Sequence, residues 1–131
     1  MATSDGITLK GWSVAMGISI VSSSADEVIG EIDIGEIHRQ SFGIVHGGVY
    51  CGFIESLGSL GAYLAAKERG QKGVAGIENT TSFVRAVSAG RIRGVAKPIA
   101  KGTSTQLWEV VVRDEQDRVV SIGRVRLLCL H

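Results

Sequence analysis

Glu55 is the only charged residue from Gly47 to Ala66, and it stands among Gly48, Cys51, Gly58, Ser59, Ala62 and Ala66. Projected at about 100° per residue, these small side chains gather on one side of a helix, opposite a stripe of Val49, Phe53, Leu57, Leu60 and Leu64. A helix with one solvated face normally shows several charges there; this one shows a single carboxylate, so both sides read as buried. A weakly solvated carboxylate suits a general base or a nucleophile, while a plain surface glutamate is the alternative. Ser59, one turn further on, shares that face and is placed to touch the same bound group, or simply to pack the helix.

The helix begins within Phe42-Gly43-Ile44-Val45-His46-Gly47-Gly48. Its first backbone N–H groups have no partner four residues back, and glycine at 47 and 48 lets another molecule reach them. The positive end of the helix dipole would favour a developing oxyanion at that point. An ordinary glycine turn capping the helix accounts for the same residues, and His46 taken alone fits a structural hydrogen bond as well as a catalytic role. Glycines inside the helix, at 52, 58 and 61, cost about 1 kcal/mol each relative to alanine, which implies that something approaches the backbone closely.

Other chemistries find less support. His38, His46 and His131 form no HxH, HExxH or Cys/His set, so no metal is expected. Gly58-Ser59-Leu60-Gly61 is one residue short of the GxSxG nucleophile elbow and lies inside the helix. The charges are segregated: Arg85 to Trp108 carries Arg85, Arg91, Arg93, Lys97 and Lys101 and no acid, whereas Asp26 to Glu36 carries five acids and no base. Either the basic stretch is a solvated strand face or it is an anion site, with Lys101-Gly102-Thr103-Ser104-Thr105 adding hydroxyl and backbone donors.

The chain that must position these groups has 131 residues, 44% hydrophobic, with 14 basic and 13 acidic side chains, and reads as one domain, 1–131. Its net charge of +1 argues against binding nucleic acid or an anionic membrane surface. Cys51 and Cys129 have no CxxC spacing, so two thiols and a cytoplasmic location are expected; no uninterrupted apolar run of about 18 residues suggests a membrane span. Alternation of Trp12, Val14, Met16, Ile18 and Ile20 predicts a first strand over Trp12 to Val21, and a weaker alternation predicts a second from Val28 to Ile37. The one long helix, about Gly47 to Arg69, comes next. Four β-rich runs then follow: Val74 to Val87, Arg91 to Lys101, Thr105 to Asp114 and Arg118 to Leu130.

His46-Gly47-Gly48 with Glu55 nine residues after the histidine and Gln40 six before it resembles the active-site helix of hotdog-fold acyl-CoA thioesterases. The segments NTTSFVRAV (79–87), GRIRGVAKP (90–98) and GTSTQLWE (102–109) are similar to that family's following strands, so the likeness runs from about Gln40 to Leu130. It is greatest to the aromatic branch: 4-hydroxybenzoyl-CoA thioesterases, 1,4-dihydroxy-2-naphthoyl-CoA hydrolases and the proofreading thioesterase of siderophore synthesis.

The resemblance implies an α+β hotdog fold, an antiparallel sheet wrapped around one central helix. It also implies homodimers assembling into tetramers, with active sites between subunits. By position, Gln40 and the Gly47 N–H would hold the thioester carbonyl, His46 would help position the reacting groups, and Glu55 would be nucleophile or general base. Ser59 stands where the family often has a hydroxyl near the acid. Arg85, Gly102, Thr103 and Ser104 match the region that meets coenzyme A, which is part of the substrate; no separate cofactor is implied. Aliphatic acyl-CoA or acyl-carrier thioesters, and a non-catalytic acyl-CoA or acyl-carrier binding module, are the alternatives, the latter having no need of Glu55.

Overall fold

The computed structural model describes residues 6–131. Six strands form one antiparallel sheet: β1 (Ser19–Ser23), β2 (Val28–Asp33), β3 (Gly73–Phe83), β4 (Arg91–Lys101), β5 (Thr105–Arg113) and β6 (Val119–Leu130). Their order is β1-β2-β4-β5-β6-β3, which leaves β1 and β3 at the two edges. A short helix α1 (Trp12–Ala15) precedes the sheet, and the long helix α2 (Gly47–Glu68) connects β2, by way of a 3-10 turn at Glu36–His38, to β3.

The sheet curls around α2 because its inner face is thinned where the helix is bulkiest. Phe53 and Leu57 lie against Gly30 of β2 and Gly94 of β4, at points where a Cβ would come within 2.7 Å or less of a Leu57 methyl. Phe53, Ile54 and Leu57 are fully buried among Val28, Ile92, Val110 and Val125, each such side chain contributing about 1.5–3 kcal/mol through burial. Gly61 meets the ring of Trp108, which is itself fully buried; its Nε1 donates to Gln106 Oε1 at 2.8 Å, and Gln106 Nε2 donates to the Ala62 carbonyl at 3.0 Å. Trp12 of α1 lies over Gly52 on the opposite side. Two indole rings are therefore what approach the glycine-rich helix. By length and apolarity α2 could cross a bilayer, yet its apolar stripe is engaged by the sheet.

The first predicted strand is a correction. Trp12 to Ala15 is helical, and only Ser19–Ser23 is a strand. Gly17, at φ 69°, closes α1 with a left-handed residue: its N–H donates to the Val14 carbonyl, and Ile18 N–H donates to the Ser13 carbonyl, the paired bonds of a Schellman stop. The alternation of apolar residues spans this break, and Trp12 and Val14 remain partly exposed. The second predicted strand ends at Asp33 instead of Ile37, and the third at Phe83 instead of Val87. There the N–H groups of Val84 and Arg85 both reach the Val120 carbonyl and regular pairing stops. β3 also carries a bulge: Gly76 pairs Leu127 and Glu78 pairs Arg126, leaving Ile77 as an extra residue.

Candidate active site

A tight turn feeds α2. Gln40 N–H donates to the Ile44 carbonyl, Gly43 turns the chain at φ 86°, and the Gln40 side-chain oxygen accepts from Phe42 N–H. That leaves the Gln40 amide NH2 as a free donor among the described residues. His46 is the N-cap: its Nδ1 accepts from Gly48 N–H at 2.7 Å, and its carbonyl accepts from Val49 N–H. His38, buried at the end of the preceding turn, bridges Gly35 N–H and the Met16 carbonyl, fixing the route by which the chain enters.

Among the described residues nothing accepts from Gly47 N–H. It opens on a cleft of about 330 Å³ lined by Gln40, Ile44, Gly47, Tyr50, Phe83 and Arg85, with neighbouring backbone. The Phe83 ring rests on Gly47 so closely that a Cβ there would sit 2.7 Å from its Cζ. Any side chain at 47 would therefore displace Phe83. An unpaired donor at the positive end of a 22-residue helix, bordering an apolar wall, is suited to holding a carbonyl oxygen as it gains charge.

Glu55 is half-buried and held from two sides. Ser59 Oγ donates to its Oε2 at 2.9 Å, and Asn79 Nδ2 approaches its Oε1 at 3.4 Å while donating to the Cys51 carbonyl at 3.0 Å. Thr81 Oγ1 donates to Asn79 Oδ1 at 2.6 Å, which turns the amide NH2 toward the helix. Gly76 leaves the space the carboxylate occupies, since a Cβ there would lie 2.5 Å from Oε2. On the small-residue face of α2, Cys51, Glu55 and Ser59 are half-buried while Gly58, Ala62 and Ala66 are buried; on the apolar stripe Val49, Phe53, Leu57 and Leu60 are buried and Leu64 partly so.

Within one chain the expected site is divided. Gly47 and Glu55 are eight residues apart on the helix, a rise of about 12 Å, and the Glu55 carboxylate is held by Ser59 and Asn79. Gln40, His46, Gly47 and Arg85 gather at the start of α2. Gly102, Thr103 and Ser104 lie at its far end, where Arg69, the C-cap, donates to the Lys101 and Gly102 carbonyls and Gln71 Nε2 donates to the Thr103 carbonyl.

Four of the five bases in the basic stretch face the acidic segment. β2 and β4 are neighbours, so the acidic and basic segments pair rung by rung: Arg91 with Asp33 and Glu31, Arg93 with Glu31, Lys97 with Glu27, and Lys101 with Asp26. The Arg91 hydrogen bond holds the Asp33 carboxyl below its ordinary range. Of the five bases only Arg85, at the cleft, makes no ion pair among the described residues. Asn79, Gly76, Phe83 and Tyr50 were not singled out by spacing, because each acquires its role from a strand or helix neighbour distant in sequence.

Residues 42–121 match the family model of the thioesterase superfamily. The chain belongs to the thioesterase superfamily. Its hotdog fold and free helix N-terminus agree with that membership, and thioester hydrolysis is its activity. The Mycobacterium tuberculosis protein Rv1847, which carries an esterase designation, is 40% identical over 113 residues, spanning 86% of this chain and 81% of its own length. The solved structure of that protein superposes with a TM-score of 0.89 at 38% identity, covering 92% of this chain and 96% of the other. The proofreading thioesterase EntH of Cronobacter sakazakii is 46% identical over 66% of this chain and 62% of its own. The 1,4-dihydroxy-2-naphthoyl-CoA hydrolase of Escherichia coli is 37% identical over the same shares.

Proposed function

We propose that the protein hydrolyses an aromatic acyl-CoA thioester in a site assembled from two copies of the chain, Glu55 coming from one and Gly47, Gln40 and His46 from the other. The observation that carries this reading is the free Gly47 N–H on an open cleft, with the only nearby helix carboxylate clamped about 12 Å along the same helix. A carbonyl cannot touch both within one protomer. β3 supplies a route to the second copy: it is an eleven-residue edge strand, exposed along most of its length and bearing Ile77 and Phe83, and such edges are normally paired or covered. Antiparallel pairing about a two-fold near Thr81 would set Asn79 and Glu55 of one protomer against Phe83 and Gly47 of the other. Dimers of this kind could pair again into tetramers.

A thioester carbonyl is electrophilic because sulfur donates electrons poorly, and the thiolate leaves without strong acid assistance. The requirements are an aimed attacker and a held oxyanion. As general base, the Glu55 carboxylate takes a proton from water while the water oxygen attacks the carbonyl. Negative charge settles on the oxygen at Gly47 N–H and the Gln40 amide, and collapse expels the coenzyme A thiolate, which recovers the proton. As nucleophile, Glu55 would attack the carbonyl carbon and expel the coenzyme A thiolate, leaving a mixed anhydride that water then cleaves to the free acid and the restored carboxylate. His46 caps the helix and fixes the direction of the Gly47 N–H. Ser59 holds the carboxylate, Arg85 at the cleft is placed for a phosphate of coenzyme A, and Gly102, Thr103 and Ser104 offer exposed backbone for the remainder of that carrier.

The aromatic preference rests on relatives that act on 1,4-dihydroxy-2-naphthoyl-CoA or proofread siderophore synthesis, and on the apolar lining of the cleft. Two free thiols accord with a cytoplasmic setting. The test is kcat/KM over a panel of aromatic and aliphatic CoA thioesters and one acyl-carrier thioester, measured for the wild type and Glu55→Ala. Loss of a positioned acid–base group predicts at least about a hundredfold fall in kcat. A folded variant with near-normal turnover refutes the assignment of Glu55, and equal rates across the panel refute the aromatic preference.

A further inference from the structure

The carboxylate of Glu55 ends in a torsion with no sharply preferred setting, since rotation about an sp3–sp2 bond is broad and nearly two-fold. One hydrogen bond alone leaves it free to pivot. Ser59 Oγ supplies one, to Oε2, from a turn further along the same helix. The second donor, Asn79 Nδ2, comes from β3 and stands 3.4 Å from Oε1. An asparagine amide can present either its NH2 or its oxygen, and its oxygen would meet the carboxylate acceptor against acceptor. Two partners independent of Glu55 decide the orientation: Thr81 Oγ1 donates to Asn79 Oδ1 at 2.6 Å, and Asn79 Nδ2 donates to the Cys51 carbonyl at 3.0 Å. Room for the Thr81 hydroxyl is left by its cross-strand partner Gly123, where a Cβ would lie 2.7 Å from Oγ1. Asn79 and Thr81, two residues apart on one strand, share the face turned to α2.

We propose that Asn79, oriented by Thr81, is a positioning residue for thioester hydrolysis: its amide stops the Glu55 carboxylate from pivoting on Ser59 and keeps it aimed at the reacting centre. This rests on Glu55 being the base or nucleophile and adds the device that aims it. Both residues act through Glu55 and not on the thioester itself. Within one protomer Asn79 is exposed, so water can serve the same hydrogen-bonding groups, and fixing them contributes little to stability. What the arrangement sets is direction. A carboxylate that swings is less often at attack geometry, which lowers kcat, while the binding of the coenzyme A portion, and with it KM, stays nearly as it was.

The experiment measures kcat, KM and melting temperature for Asn79→Ala, Asn79→Asp, Thr81→Val and Thr81→Ser on the CoA thioester that the wild type turns over fastest. Asn79→Ala and Thr81→Val are also placed in Glu55→Ala. Asn79→Ala should lower kcat about tenfold, the low end for a hydrogen bond to a charged group, with KM within about twofold. Asn79→Asp, which sets an acceptor where the amide donates, should fall at least as far. Thr81→Val should lower kcat about threefold or more, and Thr81→Ser, which keeps the hydroxyl, should recover most of that loss. In the Glu55→Ala background neither substitution should change the residual rate by more than about twofold, because the group they aim is gone. A merely structural role predicts the same further fall with or without Glu55, following the melting temperature. Wild-type kcat in Asn79→Ala, equal losses in Thr81→Val and Thr81→Ser, or an undiminished loss in the Glu55→Ala background overturns the proposal. If Glu55→Ala is crippled and Asn79→Ala is not, the positioning role fails and the hydrolase reading stands; full activity in Glu55→Ala removes both.

Discussion

If each active centre takes its carboxylate from one protomer and its oxyanion donors from another, two crippled variants should repair each other. The distance decides the matter. A carbonyl oxygen sits about 2.9 Å from a donating N–H, and the attacked carbon sits little more than 3 Å from the attacking oxygen. A donor and a carboxylate serving one thioester must therefore lie within roughly 7 Å if the carboxylate attacks, or roughly 10 Å if it acts through a water, whereas Gly47 and Glu55 of one chain are separated by a rise of about 12 Å along the helix. In a two-fold dimer of Glu55→Ala with Gln40→Ala, one centre collects both lesions and the other collects neither. Co-expression under two affinity tags, with successive purification on each, isolates that hybrid. Its kcat should be about half that of the wild type per dimer, while each parent homodimer falls by about a hundredfold, the low end for losing an acid–base group or an oxyanion donor. A hybrid no more active than the better parent would show that both groups act within one chain, and the two-copy site would have to be abandoned.

Gly76→Ala places a methyl 2.5 Å from Glu55 Oε2, so kcat on the preferred thioester should drop about tenfold with little change in melting temperature, because the clash falls on a side-chain end. Unchanged kcat would show that the position of the carboxylate does not matter. Gly61→Ala drives a methyl into the fully buried Trp108 ring and should cost about 1–3 kcal/mol, seen as a melting temperature lower by roughly 3–10 °C. An unshifted transition would show that the ring can move aside. Tyr50 gives a signature in alkali: burial, with the Asp114 carboxylate adding to it, pushes its phenol from 10.0 up to about 12 on folding, so the folded state retains a proton that the unfolded chain releases. That contribution is whole below pH 10 and is lost as the pH climbs toward 12, on the order of 1–3 kcal/mol, so urea midpoints should fall more steeply for the wild type than for Tyr50→Phe. Parallel curves would contradict the shift.

The helix and the last three strands were legible because each is bounded by a clear change of pattern: Arg91–Lys101 is observed as expected, and α2 begins at Gly47 behind its histidine cap. Trp12 to Val21 misled because a period of two was read through Gly17, whose backbone conformation is not visible in an apolar pattern. The two blocks of opposite charge were visible too, but what they do for each other depends on β2 and β4 being neighbours, which no local feature specifies. The contact between Glu55 and Ser59 could be read from helical spacing, since four residues make about one turn. Asn79 could not, because a strand residue meets the helix only once the sheet has closed around it.

The bulge at Ile77 has a bearing on how this protein can vary. In a regular strand, residues three apart point to opposite faces, yet Gly76 and Asn79 both attend the same carboxylate, one by leaving room and the other by offering an amide. The spare residue restores the phase between them. Exchanging Ile77 for another side chain keeps that phase, while removing the residue would rotate one of the two away from Glu55. At position 77, reactivity depends on a residue being there and not on which residue it is.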